Sequence, residues 1–273
     1  MELDPILQAS PPREIPLPNA PLERVVAQLR FPLIASVRTA EFIGPFQEAI
    51  RKTYPVLRQE LVQGFALSPQ GLTPAVPQVV WRFSDHSNLW RISLASEFLA
   101  VEALRYTSRA DFIGRLRFVL EALKRYIDPG TTDRLGIRFV DRIVGDNVAR
   151  IESLVRPEIR GIVGSSISRH ATSSITETIF EVSGSNAKLL SRWGKLPAGT
   201  VVDPAIMDAI SEPSWILDID MFRDGSTPFD VDSIVDEATL FAERIYTFFR
   251  WAVTVDFLKA FGADAGDILR ELP

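Results

Sequence analysis

The chain contains no cysteine, and this absence removes several kinds of site from consideration. Disulfides, thiolate zinc sites, iron–sulfur clusters and catalytic thiols all need a cysteine sulfur. Histidine is nearly as scarce, since only His86 and His170 occur among 273 residues. The chain therefore has too few histidine ligands for a metal centre of three histidines, and only one possible pair for a centre of two.

Long uncharged apolar runs are also missing. No stretch of about 18 uncharged apolar residues occurs, which is the length that a membrane-spanning helix requires. Residues 1–6 do not combine a basic segment with an apolar one, as export signals do. We therefore expect a soluble cytoplasmic protein with no membrane partner, and we assign no cofactor.

Composition is that of an ordinary globular protein, with 46% hydrophobic and 24% charged residues. The charges are unevenly distributed: residues 1–200 carry 25 basic and 20 acidic side chains, whereas residues 201–273 carry 5 basic and 15 acidic ones. Twenty-five of the 30 basic residues are arginine, which suits planar recognition of carboxylate and phosphate. A pI of about 5.3 argues against broad binding to duplex nucleic acid.

The apolar pattern divides the chain into an arm, two similar halves and a tail. Residues 1–20 contain five prolines, which predict an extended arm. Residues 21–128 read as strand, helix, three strands and helix, and residues 133–263 repeat that order. Residues 264–273 form the C-terminal tail. We predict an α+β fold with internal duplication, in which an antiparallel or mixed sheet is backed by helices on one side.

A few residues predict where individual elements begin or end. Ser108 is a candidate N-cap for a helix that follows it. Glycines and prolines predict a loop over residues 64–78. Pro157 predicts a break in a helical stripe, and a long helix is expected from about residue 231 toward residue 261.

Alternation within the predicted strands places arginines opposite the apolar residues. Over residues 134–143 an arginine recurs at every fourth position, and three other strands show the same split. The arginines that this pattern assigns to one open sheet face are Arg30, Arg82, Arg91, Arg138 and Arg142. Their fields would add to attract an anionic small molecule or an acidic protein partner. If they instead pair with carboxylates such as Asp218 and Glu102, the face needs no ligand.

Three further sets of side chains are site candidates. Asp218 and Asp220 point to the same side of one strand and could hold Mg²⁺ or Ca²⁺, although no calcium-loop motif accompanies them. Trp193 lies in a glycine-containing stretch and is the tryptophan expected to be an exposed ligand contact. Ser168 and His170 are close in sequence, but no nucleophile-elbow motif occurs, so we assign no catalytic residue.

Two of these strands carry a family resemblance. Residues 19–31, Asn-Ala-Pro-Leu-Glu-Arg-Val-Val-Ala-Gln-Leu-Arg-Phe, and residues 134–143, Arg-Leu-Gly-Ile-Arg-Phe-Val-Asp-Arg-Ile, resemble the signature strands of a sporadically distributed bacterial family of uncharacterised proteins. The first signature reads Pro-Leu-x-Glu-Val before a strand ending Leu-Arg-Phe, and the second reads Arg-x-Gly-x-Arg-Tyr-x-Asn. Arg24 stands where glutamate is usual, Phe139 replaces tyrosine and Asp141 replaces asparagine. The resemblance covers nearly the whole chain and implies a bacterial source, but it implies no activity.

The leading functional interpretation is a non-enzymatic binding or regulatory module. It would hold an anionic ligand or a protein partner on the arginine-lined sheet face. One alternative is an enzyme that acts on a nucleotide or nucleic acid through the arginines and the Asp218/Asp220 pair. A second alternative is a structural subunit of a larger assembly.

Overall fold

The computed structural model describes residues 10–62, 65–68, 71–74, 77–182 and 185–270. Within these ranges the chain forms an antiparallel sheet of nine strands, a separate two-stranded hairpin and eight α-helices. This architecture confirms the predicted α+β class.

The sheet has the strand order β2-β5-β6-β7-β1-β8-β11-β10-β9, and the hairpin pairs β3 with β4. The strands are β1 (Leu22–Arg30), β2 (Val56–Val62), β3 (Phe65–Ser68), β4 (Gly71–Pro74), β5 (Gln78–Ser84), β6 (Trp90–Ala95), β7 (Phe98–Ala103), β8 (Thr131–Ile143), β9 (Ser174–Glu181), β10 (Ala187–Leu196) and β11 (Ser214–Pro228).

The helices differ widely in length, from 4 to 22 residues. They are α1 (Ala40–Ile50), α2 (Arg109–Tyr126), α3 (Asp146–Ala149), α4 (Ile151–Leu154), α5 (Pro157–Arg160), α6 (Val231–Ala252), α7 (Val255–Ala260) and α8 (Ala265–Leu269). In the part of the chain that the structure describes, no helix combines the length and apolar character needed to cross a membrane.

The chain divides into two compact units. Unit 1 comprises the residues up to Val25, Ile137–Phe222 and the residues from Leu240 onward. Unit 2 comprises Val26–Gly136 and Arg223–Thr239. Each unit has its own core, and the two are described separately below.

In unit 2 the helices α1 and α2 pack on the sheet through aromatic side chains. Phe46 of α1 meets Phe83 of β5 edge-on with a centroid distance of 5.6 Å, and Trp90 of β6 lies 5.8 Å from Phe112 of α2. The hydroxyl of Ser108 accepts a hydrogen bond of 3.1 Å from the backbone N–H three residues later. The predicted cap of α2 is therefore confirmed.

In unit 1 the sheet is covered on both faces. Phe248 of α6 packs on Phe180 of β9, with 5.4 Å between the ring centroids. On the opposite face residues 197–213, which join β10 to β11 and are called the strap here, lie over the sheet. Met207 of the strap is buried in one cluster with Val140 of β8 and Ile216 of β11. The strap thus closes part of the face that alternation had assigned to polar residues.

Several element predictions need correction. The described part of residues 64–78 forms the β3–β4 hairpin rather than a loop, and β2 before it was not predicted. The predicted break at Pro157 is confirmed, because α4 ends at Leu154 and Pro157 is the first residue of α5, where a missing N–H costs nothing. The stripe around it forms three short helices. The long C-terminal helix ends at Ala252, and Thr254 caps a separate helix, α7.

The arm is described from residue 10 onward. Residues 1–9 of the predicted arm lie outside the described residues. Residues 10–16 form neither helix nor strand, as expected for a segment with this proline content.

Candidate functional site

Arg138 on β8 lies at the centre of an ion-pair cluster in unit 1. Its guanidinium group donates to both oxygens of Asp218 on β11, over 2.7 and 2.8 Å, and to Asp203 of the strap over 2.7 Å. The side chain of Asp218 is completely buried. Burial opposes the charged form of Arg138, but the bonds to Asp218 and Asp203 outweigh it and raise the pKa of Arg138. This cluster anchors the strap to the sheet.

Arg192 on β10 extends the same cluster toward the edge of the sheet. It donates to Asp218 over 3.4 Å and to Glu177 on β9 over 2.5 Å. Guanidinium groups therefore engage both oxygens of Asp218, and its neighbour Asp220 is half-buried. Among the described residues no group of three or more histidine or acidic side chains is placed to hold a metal ion. The geometry gives the Asp218/Asp220 metal hypothesis no support.

Arg142 pins the strap at a second point. Its Nε lies 2.8 Å from a carboxylate oxygen of Glu23 on β1, and its Nη1 donates to the backbone oxygen of Asp208 over 2.7 Å. Burial raises the pKa of Glu23, although the nearby charge of Arg142 acts in the opposite direction. Arg142 therefore serves the attachment of the strap.

The three remaining arginine candidates lie in unit 2. Arg91 on β6 contacts Glu102 on β7 over 2.5 Å, and Arg82 on β5 lies 3.5 Å from the same carboxylate and 3.1 Å from Glu60 on β2. Arg82 also donates to the hydroxyl of Ser93. Arg30 at the end of β1 is exposed, and its Nε donates to the side chain of Gln28 over 3.3 Å.

Carboxylates thus engage four of the five predicted arginines. Arg138 and Arg142 meet acidic or carbonyl groups in unit 1, and Arg82 and Arg91 share one carboxylate in unit 2. This is the arrangement expected if the arginines stabilise the fold. It gives less support to an open, unpaired anion-binding face.

Trp193 is buried, with 7% of its surface exposed, so the expectation of an exposed contact is wrong. The reason lies in the next residue, Gly194, whose φ is +144°. A Cβ atom at Gly194 would lie 1.8 Å from the backbone oxygen of Ser174 on β9. The glycine therefore marks a close approach of two strands and not an exposed loop. Trp81, Trp90 and Trp215 are also buried.

Asp141 on β8 is a buried carboxyl group that the arginine pattern did not single out. It is 6% exposed. Burial, together with the charge of Asp218, raises its pKa to about 7. The sequence feature that could have identified Asp141 is that it stands where the second signature of the resembled family has asparagine.

Unit 1 also contains a cavity of about 410 Å³. It lies between the short helices after β8, the end of β10 and the start of β11. Two cationic and two anionic side chains line it, namely Arg169, Lys195, Glu152 and Glu212. We call this the unit 1 cavity.

Backbone geometry holds the charged groups of the cavity in place. Gly145, directly after β8, has a φ of +62°, which favours glycine, and its N–H donates to Glu212 over 3.2 Å. The ammonium group of Lys195 donates to the backbone oxygen of Ala171 over 3.0 Å. An ammonium group has three donors, so Lys195 can still bind a second acceptor.

Trp215 forms an apolar part of the cavity wall. Only 1% of its surface is exposed, and its indole N–H has no hydrogen-bond acceptor among the residues that the structure describes. A buried donor without an acceptor costs about 1–3 kcal/mol.

Sequence reasoning came close to this cavity without identifying it. Ser168 and Arg169 belong to the serine-rich segment that was considered for catalysis, and Lys195 ends the stretch that was singled out for Trp193. Comparison with known proteins finds no matching family model, no matching curated protein and no matching solved structure.

Proposed function

We propose that this chain is a non-enzymatic binding protein whose unit 1 cavity takes a small molecule with a single carboxylate group. One observation carries the proposal. Lys195 and Arg169 line the same cavity, and Trp215 supplies an apolar part of its wall. Cationic side chains at the wall of a cavity are what an anionic ligand group requires.

The charges of the cavity favour a particular kind of anion. A volume of about 410 Å³ is within the range of small-molecule sites. Glu152 and Glu212 belong to the same wall and would repel a ligand with several negative charges. A singly charged anionic group with a neutral or cationic remainder therefore fits best.

The enzyme alternative has less support. It depended on arginines and on the Asp218/Asp220 pair, yet Arg138 and Arg192 bind Asp218. Arg138, Arg192 and Asp218 hold the strap and the edge of the sheet in place. A binding role is therefore better supported than an enzymatic one.

Membership of the resembled bacterial family is also part of the proposal. Its support is that the two signature strands, β1 and β8, are neighbours in the sheet. Glu23 of the first lies 2.8 Å from Arg142, which directly follows the second. A cytoplasmic location fits a chain without cysteine.

Thermal unfolding with a panel of monocarboxylates, phosphate monoesters and citrate tests the binding proposal. A ligand that binds the native state alone raises the melting temperature by mass action. We expect a shift with a singly charged anion that is lost in Lys195→Ala and kept in Lys188→Ala, which changes an exposed lysine on the same strand. An equal shift in both variants, or no shift across the panel, would contradict the proposal.

A further inference from the structure

The unit 1 cavity carries two charged side chains of each sign. Lys195 and Arg169 supply the cations, and Glu152 and Glu212 supply the anions. Lys195 is half-buried and the other three residues are exposed, so a ligand from solution can reach all four. A ligand in this cavity therefore meets both signs of charge.

Contacts within the chain orient three of these groups through neutral partners. Lys195 donates to the backbone oxygen of Ala171 over 3.0 Å, and Glu212 accepts from the backbone N–H of Gly145 over 3.2 Å. The Nε atom of Arg169 donates over 3.1 Å to the imidazole of the next residue, which can accept only in its neutral form. These contacts leave the charges themselves uncompensated.

The cations and anions of the cavity are also held apart from each other. Among the residues that the structure describes, no ion pair joins two of the four groups, although all four line one cavity. Elsewhere in unit 1 opposite charges do pair, as Arg138 and Arg192 do with Asp218. Opposite charges that line one cavity without pairing are arranged for a ligand that carries both signs.

A ligand with a carboxylate alone would satisfy only half of this arrangement. Its carboxylate would bind the two cations, while its neutral remainder would displace water from Glu152 and Glu212 without donating to them. A carboxylate that loses water and gains no partner raises the free energy of the complex. An ammonium group instead brings three donors and a positive charge to the same two carboxylates.

The rest of the cavity lining indicates what accompanies the charged groups of the ligand. Much of it is apolar and includes Val148, Ile151, Val163 and Trp215. Small-molecule sites combine such apolar walls with a few polar groups that fix the orientation of the ligand. The uncharged part of the ligand is therefore expected to be apolar.

We infer that the ligand of the unit 1 cavity is a zwitterion, namely an amino acid with an apolar carbon chain. Its carboxylate binds Lys195 and Arg169, and its ammonium group binds Glu152 and Glu212. The inference rests on the proposed function, which requires the carboxylate alone, and adds the ammonium group. Such a site discriminates against an analogue without the ammonium group, because that analogue leaves the site's polar groups unpaired.

Isothermal titration calorimetry of the full chain with matched pairs of compounds tests the inference. The first pair is leucine and 4-methylpentanoate, and the second is 6-aminohexanoate and hexanoate. The two members of a pair share the carboxylate and the carbon chain and differ in the ammonium group. In at least one pair we expect the amino compound to bind about tenfold or more tightly than the plain carboxylate.

Two variants test whether the glutamates bind the ammonium group. Glu152→Gln and Glu212→Gln remove the charge but keep a side-chain oxygen that can accept, as Glu212 does from Gly145. Each should weaken binding of the amino compound about tenfold, while binding of the plain carboxylate stays equal or becomes tighter. The matched control is Glu158→Gln on α5, an exposed glutamate outside the cavity lining, which should change neither affinity.

The outcomes distinguish this inference from the proposed function. Equal affinities within both pairs, or an amino compound that binds equally well after either glutamate substitution, would overturn the zwitterion. If that binding is still lost in Lys195→Ala, the carboxylate site of the proposed function stands. No binding of any of the four compounds would also overturn the inference, and the thermal unfolding panel would then decide the proposed function on its own.

Discussion

At the scale of single residues, Asp218 is a carboxylate that takes part in two ion pairs. It is completely buried and accepts hydrogen bonds from Arg138 and Arg192. Breaking a buried pair by removing one partner leaves the other charge uncompensated, which costs about 3–5 kcal/mol.

We predict that Asp218→Ala destabilises the native state by about 3–5 kcal/mol in urea unfolding. The matched control is Glu48→Ala on α1, which removes an exposed ion pair with Arg51. This substitution should lower the free energy of unfolding by under about 0.5 kcal/mol. An equal loss of stability in the two variants would show that water solvates the guanidinium group of Arg138 once Asp218 is removed.

The raised pKa of Asp141 predicts how the stability of the native state changes with pH. Its native pKa is about 7, whereas the ordinary value is 3.8. Between these values the native state holds the proton and the unfolded chain releases it, so stability falls as pH rises through this window and levels off above pH 7.

Asp141→Asn should remove this dependence. The expected gain in the free energy of unfolding is up to about 4 kcal/mol at pH 8, with little change at pH 4. Thermal and urea unfolding across this pH range measure it. A variant whose stability runs parallel to that of the unchanged chain from pH 4 to 8 would show that Asp141 titrates normally.

At the scale of elements, the strap shows how an irregular segment is held without secondary structure. Asp203 and the carbonyl of Asp208 accept from two arginines of β8, and Met207 is buried against the sheet. The strap is thus held on the sheet both by a buried apolar side chain and by polar contacts at neighbouring positions.

We predict that Met207→Ala costs about 2–5 kcal/mol and loosens the strap. Proteolysis within residues 197–213 should become faster, because the buried side chain no longer opposes local opening. Ile167→Ala, at a side chain that is 57% exposed, serves as the control and should leave both stability and cleavage unchanged. Unchanged cleavage in Met207→Ala would mean that the arginines alone hold the strap.

Elements with a clear local signal could be predicted from sequence, and those without one could not. The strands β5 and β6 alternate in sequence between apolar and polar residues, and α2 has a capping serine, so all three could be predicted. β2 lies at the sheet edge, where residues 58–62 are exposed on both faces, so it carries no alternation. The break after Ala252 interrupts an apolar stripe that continues through it, and only the cap at Thr254 marks it.

The candidate site was harder to predict than the fold because the residues that form it have no local sequence signal in common. Alternation placed Arg138 and Arg142 on one side of β8, but it carries no information on what covers that side. The carboxylate and the carbonyl that meet them come from a strap with no periodic pattern. The unit 1 cavity likewise combines Arg169, Lys195 and Trp215 from three separate segments, and no local spacing relates them.

At the scale of the whole molecule, the uneven charge of the sequence is partly neutralised by folding. Residues 201–273 carry 15 acidic and 5 basic side chains. Several of these acids meet arginines from earlier in the chain, as Asp203 and Asp218 meet Arg138 in unit 1. The excess charge of the last quarter therefore contributes to the attachment of the strap, and the charge imbalance alone does not identify a binding face.

The central claim, that an anion binds in the unit 1 cavity, is tested most directly at the indole N–H of Trp215. The chain has five tryptophans, so a ¹⁵N-labelled sample gives five indole resonances for assignment. On titration with the anion of the panel that gives the largest thermal shift, we predict that the Trp215 resonance moves, because the Trp215 side chain lines the cavity. Saturable binding that leaves the Trp215 resonance unmoved would place the ligand elsewhere and contradict the account.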